Sequence, residues 1–291
     1  MHDIIKELLA NGPVITDGAW GTQLQMRGLP IGECPDLWNL SQPDRVEEVA
    51  FAYVEAGSRI ILTNTFGASR IALARHDMSD QAFAINRAGV EISCRAAGNR
   101  AKVFASMGPC GKMVAMGDVT EEAVFDAFLE QAKALQDGGA DGIVIETMSD
   151  LDEARIALLA AKSTGLPVVA SMAFDSGKAS DRTMMGVTPE QAAKVLSEAG
   201  ADAVGANCGR GPAGLLPICE RMKAVCNVPI WIKPNAGLPE MVEGHTVCIY
   251  RTTPDEFAEE ALKVVDAGAS FIGGCCGTGP VFIRALAERM A

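Results

Sequence analysis

The 291 residues carry 25 Lys+Arg against 37 Asp+Glu, a formal net charge of −12, which lacks the basic footprint of a nucleic-acid reader or of a protein that docks on anionic membranes. Hydrophobic residues make up 48% and charged residues 21%, so a sizeable core is available and a disordered or collagen-like chain is excluded. That length fits either two average domains or one α/β barrel of about 250 residues; the order of elements decides between them.

The first residues, Met1-His2-Asp3-Ile4-Ile5-Lys6-Glu7-Leu8-Leu9, place charges inside an apolar pattern. They predict a short helix and no export signal. Apolar stretches such as Arg59-Ile60-Ile61-Leu62 break off far short of the roughly 20 residues needed to span a bilayer. Nine cysteines are odd in number and lack framework spacing, so they predict reduced thiols and a cytoplasmic protein.

Eight strand-like runs then recur, each followed by a segment with helical spacing: Val14–Trp20, Arg59–Phe66, Lys102–Gly108, Gly142–Thr147, Pro167–Phe174, Ala203–Cys208, Pro229–Asn235 and Phe271–Cys276. Several are apolar throughout, as strands buried on both faces must be. Helix starts are predicted at Ser41-Gln42-Pro43-Asp44, Thr188-Pro189-Glu190-Gln191 and Thr253-Pro254-Asp255-Glu256, each with a hydroxyl at the N-cap and an acid or amide three residues on. Helix stops repeat as Ala56-Gly57-Ser58, Gly138-Gly139-Ala140, Ala199-Gly200-Ala201 and Ala267-Gly268-Ala269, each offering a residue tolerant of positive φ before the next strand. Val46, Val49, Ala50 and Tyr53 form one apolar stripe suited to lie on a sheet. Eight such units, with no Gly-x-Gly-x-x-Gly phosphate turn after an early strand, predict an α/β fold: a (β/α)₈ TIM barrel, one domain over 1–291, with a longer loop at about Gln23–Leu40.

In such a barrel the carboxyl-terminal ends of the strands build the active site, and the unusual residues gather there. Asp17 and Gly18 lie towards the end of the first run, Asn64 of the second, Glu146 of the fourth and Asn235 of the seventh. Cys208 ends the sixth, and the last closes with Gly273-Gly274-Cys275-Cys276-Gly277-Thr278. Three thiolates suit Zn²⁺ and leave a fourth position for a substrate sulfur. Adjacent residues of a regular strand point to opposite faces, so Cys275 and Cys276 share an ion only if the glycines let the backbone leave strand geometry. Three unrelated thiols, a vicinal disulfide and a closed structural zinc site are the alternatives. Cys34, Cys94, Cys110, Cys219, Cys226 and Cys248 read as packing residues. The three histidines, His2, His76 and His245, fall in none of the loaded loops, which gives a His-based triad no support. Asp17 and Glu146 could instead cap helices, Asn64 and Asn235 could order turns, and Trp20 and Trp38 could pack the rim.

Asp17-Gly18-Ala19-Trp20-Gly21-Thr22, Leu62-Thr63-Asn64-Thr65-Phe66-Gly67, Glu146-Thr147, Gly205-Ala206-Asn207-Cys208 and the closing Gly273–Thr278 motif together resemble the homocysteine S-methyltransferase family over essentially the whole chain. The resemblance implies zinc on Cys208, Cys275 and Cys276, homocysteine as the fourth sulfur, and Asp17 and Glu146, with backbone N–H groups around Gly18, at its amino-acid end. Asn64 and Asn235 are further candidate substrate contacts. Methyl transfer from a small onium donor of the betaine or S-methylmethionine type, or from a separate methylcorrinoid protein, would yield methionine. Asn235-Ala236-Gly237-Leu238-Pro239 is similar to the homocysteine module of cobalamin-dependent methionine synthase, whereas Leu37-Trp38-Asn39 and Thr183-Met184-Met185-Gly186 are more similar to bacterial stand-alone betaine-type enzymes. A quaternary ammonium calls for aromatic faces; Trp20 and Trp38 are candidates, and Tyr53 and Tyr250 are the only tyrosines. Two alternatives stand beside homocysteine methylation: another thiol or selenol as acceptor, and a non-catalytic zinc–thiolate protein.

Overall fold

Eight parallel strands build the molecule: β1 (Val14–Ile15), β2 (Ile60–Ile61), β3 (Lys102–Met107), β4 (Gly142–Met148), β5 (Val168–Met172), β6 (Ala203–Asn207), β7 (Ile230–Lys233) and β8 (Ala269–Ile272). The computed structural model describes residues 1–240 and 249–291; His245 and Cys248 lie outside the described residues. Strand order is β1-β8-β7-β6-β5-β4-β3-β2, with registers such as Val14 opposite Phe271 and Ile60 opposite Lys102. With a helix after each strand this is a (β/α)₈ barrel, as the eightfold recurrence predicts. The join between β1 and β2 is made by single bonds: Arg59 N–H to Ile15 O at 2.9 Å, Ser58 Oγ to Thr16 O at 3.3 Å, and Leu62 N–H to the Asp17 carboxylate at 2.7 Å.

Every strand sends one apolar side chain into the interior. Val14, Ile60, Phe104, Val144, Val169, Ala203, Trp231 and Phe271 form one buried cluster, closed at the amino-terminal end by Ile5 and Leu8 of the first helix, Asp3–Leu9. Trp231 stacks on Phe104 at 6.4 Å between ring centroids and tilts against Phe271 at 5.2 Å. The barrel is therefore packed through its lower half, and only its carboxyl-terminal mouth is open to a ligand. A second, larger cluster lies between strands and helices and includes the predicted stripe Val46, Val49, Ala50 and Tyr53.

The predicted joints hold their form: Gly57, Gly139, Gly200 and Gly268 all have φ between 94° and 110°, which only glycine adopts without strain. Thr188 and Thr253 both close capping boxes, with Gln191 and Glu256. Ser41 does not. It ends a short helix, Trp38–Ser41, and its hydroxyl bonds back to Leu37 O, while Gln42 stands at the start of the next helix, Pro43–Glu55. The segment read as a long loop near 23–40 is likewise folded, with a helix at Gly21–Met26 and a single 3₁₀ turn at Pro35–Leu37. No helix among the described residues is long and apolar enough to cross a membrane.

Most strands stop short of the predicted ends. β8 finishes at Ile272 rather than Cys276, and β1 and β2 have only two laddered residues each. The residues beyond them leave the sheet to form the mouth.

Candidate active site

Three thiols meet at that mouth. Cys208 directly follows β6, Cys275 and Cys276 follow β8, and their Sγ atoms all lie within 4.8 Å of one another. Cys208 and Cys276 stand 3.8 Å apart, about the sulfur–sulfur edge of a tetrahedral ion with metal–sulfur bonds near 2.3 Å. The donor set therefore fits a soft, tetrahedral metal such as zinc. All three cysteines are free, so the vicinal pair is not a disulfide.

Backbone geometry makes this convergence. Cys208 has φ 67°, a left-handed conformation costly for a residue with a Cβ, and it is held there by its N–H to Lys233 O at 3.0 Å and by Arg210 N–H to its own carbonyl at 2.8 Å. Beyond β8, Cys275 N–H bonds Pro234 O at 2.7 Å and Ala236 N–H bonds Cys276 O at 2.9 Å. The loops after β7 and β8 are thus laced together, and Gly277 at φ 81° turns the chain behind them. Asn235 accepts the Cys276 N–H at 3.0 Å and bonds the Cys208 sulfur. Asn207 fixes the neighbouring strand end: its Oδ1 accepts from Thr147 N–H at 2.9 Å and Ser171 Oγ at 2.7 Å, and its amide bonds Thr147 Oγ1. Thr147 is itself left-handed, at φ 61°.

The metal-free thiols share their protons unequally. Hydrogen bonds from Cys275 and Cys276 hold the Cys208 thiol down to about 3. The Cys208 thiolate in turn pushes Cys276 up to about 11, against a bond with Tyr250, and raises Cys275. The three thiols titrate as one hydrogen-bonded group, and a metal bound among them would displace their protons.

Beside the sulfurs opens a cavity of about 390 Å³, lined by Gly18, Trp20, Asp36, Asn64, Phe66, Ser106, Glu146, Lys233 and the three cysteines among others. Glu146 is 8% exposed; it accepts a hydrogen bond from Ser106 Oγ, and burial raises its pKa. Gly18 sits where a Cβ would come within 2.3 Å of Thr278 O, so only glycine lets the first loop close on the last.

Asp17 lies behind Lys233 of the cavity wall. It is fully buried and does not line the cavity; its carboxylate forms an ion pair with Lys233 and accepts from Trp20 Nε1 and Leu62 N–H, both at 2.7 Å. Asn235 stands behind the thiols, and its side chain orients sulfurs. Asn64 reaches the cavity wall, but its amide is used on Pro35 O at 2.7 Å and Asn39 Oδ1 at 3.0 Å, which clamps the 3₁₀ turn in place. Trp20 lines the cavity. Trp38 does not: it packs under Arg45 and borders a separate cavity with His76. Tyr53 is buried, its hydroxyl bonding Ala19 O at 2.6 Å. His2 caps the first helix. Cys34 is pushed by burial up to about 11, and Cys110 and Cys219 up to about 12, as packing thiols should be.

Lys233, Asp36 and Ser106 were not singled out by the sequence. A signal existed for Lys233: it is the one charge in the apolar run Pro229–Lys233, at the end of a barrel strand.

A model of the homocysteine S-methyltransferase family matches residues 14–290. The chain belongs to that family. Methionine synthases of Mycobacterium tuberculosis and Mycobacterium leprae are each 32% identical to it over 306 aligned positions, covering 99% of this chain and 25% of theirs. The chain thus spans about a quarter of the length of these curated relatives. Among solved structures, the homocysteine methyltransferase MmuM from Escherichia coli superposes with a TM-score of 0.80 in its metallated form and 0.73 in its apo form, at 22% identity and with 98% of this chain and 99% of that one covered. Family membership and fold thus agree with the resemblance carried by the motifs.

Proposed function

We propose that this family member is a cytoplasmic enzyme that methylates the thiol of homocysteine at a zinc ion held by Cys208, Cys275 and Cys276, giving methionine. The observation that carries the reading is the convergence of three sulfurs within 4.8 Å on a cavity whose wall holds a buried carboxylate, Glu146. Zinc held by these three cysteines would supply the acceptor as a thiolate at neutral pH, because a coordinated thiol is deprotonated.

The rest is positioning by the chain. Glu146 pairs with the acceptor's ammonium, a charge-assisted bond strengthened by burial. Backbone around Gly18 borders the same end of the cavity. Asn235 and the strained turn at Cys208 keep the three sulfurs aimed at one point, so the acceptor sulfur is held at a fixed place and angle. Trp20 and Phe66 offer aromatic faces to the cationic end of a small onium donor, of the betaine or S-methylmethionine type. Transfer is an in-line displacement: a carbon–sulfur bond forms as the bond from methyl to donor breaks, and that bonding pair leaves with the donor. Holding the two partners in line supplies several kcal/mol of the barrier reduction. A cavity of about 390 Å³ lies within the roughly 300–1,000 Å³ of small-molecule sites. A separate methylcorrinoid protein is the other donor class.

The test is a donor panel. Zinc-loaded protein is incubated with homocysteine and, in turn, betaine, S-methylmethionine, dimethylsulfoniopropionate or a methylcorrinoid protein, and methionine is measured. Product from at least one is expected; none from any, together with no thiol binding, overturns the proposal. X-ray absorption separates the non-catalytic alternative: a sulfur ligand gained on adding homocysteine supports catalysis, and a shell already filled by the protein opposes it.

A further inference from the structure

Between β7 and the helix Pro254–Asp266 the chain runs out past Gly237 and returns to Thr252, and the two limbs of this excursion are pinned together. Gly237, at φ 93°, lies where a Cβ would come within 2.5 Å of Thr252 Oγ1. Glu240 and Ile249 exchange two backbone hydrogen bonds, both at 2.9 Å, and the Glu240 carboxylate pairs with Arg251 at 2.6 Å. Tyr250 stands between Ile249 and Arg251, so this neck fixes where its side chain goes. The ring lies on Gly277: a Cβ there would come within 2.4 Å of the ring Cγ and 2.5 Å of Cδ2, so only a glycine directly after the paired cysteines gives the ring room. From that seat the phenol bonds the Cys276 sulfur.

Three cysteine thiolates and an acceptor thiolate around one dication carry two net negative charges between them. All three cysteines are only partly open to solvent, so hydrogen-bond donors of the chain have to disperse much of that charge. Cys208 is served by the Gly209 N–H and the Asn235 side chain, Cys276 by Tyr250. A phenol is a neutral donor; it draws on a thiolate without adding a charge of its own. Building on the zinc–thiolate reading above, we propose that Tyr250 is a positioning residue of the metal centre: its hydroxyl donates to Cys276 Sγ, holds that sulfur on the ion and withdraws part of its charge, which leaves the ion a stronger electron acceptor towards the incoming thiol. The ring supplies the seat and the hydroxyl the effect.

The test separates the two parts. Tyr250→Phe keeps the ring and removes the donor; Tyr250→Leu removes both. Each protein and wild type are loaded with cobalt(II), which takes tetrahedral sulfur sites as zinc does and absorbs light through them, and zinc affinity is measured by competition with a chelator. A thiolate that loses a hydrogen bond gives up electron density more easily, so the sulfur-to-cobalt charge-transfer band of Tyr250→Phe should move to longer wavelength. Its zinc affinity should fall by about tenfold or more, as for other lost partners of metal ligands. Tyr250→Leu should show both changes at least as strongly. Wild-type band and affinity in Tyr250→Phe overturn the assignment, whatever Tyr250→Leu does, while the methyl-transfer reading stands. A fall in affinity with the band unmoved marks a packing residue and overturns it as well. Wild type that takes up neither metal overturns both readings.

Discussion

Cys208 shows what a single backbone angle contributes. With its φ at 67° the residue is held in a conformation that L-residues avoid, and it stays there because hydrogen bonds with Lys233, Arg210 and Asn235 leave no cheaper arrangement. Residues that orient ligands in this way typically cost 10–100-fold in metal affinity when removed. Asn235→Ala should therefore weaken zinc binding by about that factor, read by competition with a chelator; an unchanged constant would make Asn235 a turn residue only. Cys208→Ser, Cys275→Ser and Cys276→Ser should each abolish tight one-to-one zinc uptake, since two sulfurs do not complete a site of this type. The three cysteines were legible in the sequence because thiols set among glycines at strand ends add little to a core and gather where a barrel does its chemistry. The pairing of Asp17 with Lys233 was not, because each depends on a partner 216 positions away.

Capping separates the elements whose starts were legible from those whose starts were not. Thr188 and Thr253 close reciprocal boxes, so Thr188→Ala and Thr253→Ala should each cost about 1 kcal/mol in urea unfolding. Ser41→Ala should cost clearly less, as its hydroxyl serves a neighbouring turn; equal losses in all three would show that the boxes contribute nothing particular. The Ser41 signal misled because Trp38–Ser41 forms a short helix of its own just before Pro43. Strand starts were legible from the glycine joints, but strand ends were not: small and apolar residues such as Ala19, Leu62, Gly273 and Gly274 carry the strand-like pattern on past the last laddered residues of β1, β2 and β8. One ion-pair group links the loop after β5 to two helices, with Arg221 bidentate to Glu190 and bonded to Asp181 at 2.7 Å. The Arg221 bond holds the Glu190 carboxyl down to about 2. A carboxyl depressed by folding adds stability above its ordinary pKa and loses it as pH falls through the folded value. Glu190→Gln should accordingly lower the unfolding free energy at pH 7, by a screened amount of about 0.5–1 kcal/mol, and the gap should narrow between pH 4.5 and the acid limit. A gap constant with pH would count against the pair.

The barrel as a whole is held by a filled interior to which all eight strands contribute. Trp231 touches two other aromatic rings there, and Trp231→Ala should cost about 3–5 kcal/mol, with no direct effect on zinc stoichiometry in whatever fraction stays folded. The eightfold order was the most legible property of the sequence, since it rests on repetition rather than on any one residue. What repetition could not supply was the seam. Between β1 and β2 the ladder gives way to isolated bonds, and one of them is the Asp17 carboxylate receiving the Leu62 amide. The group that neutralises Lys233 is also a rivet in the hoop. Loosening it should let solvent reach a backbone position that strands normally shield, so the Leu62 amide in Asp17→Asn should exchange with deuterium faster than in wild type, whereas amides of β5 and β6 across the ring keep their protection. Selection for a new acceptor at this end of the cavity would then have to preserve the closure of the cylinder as well.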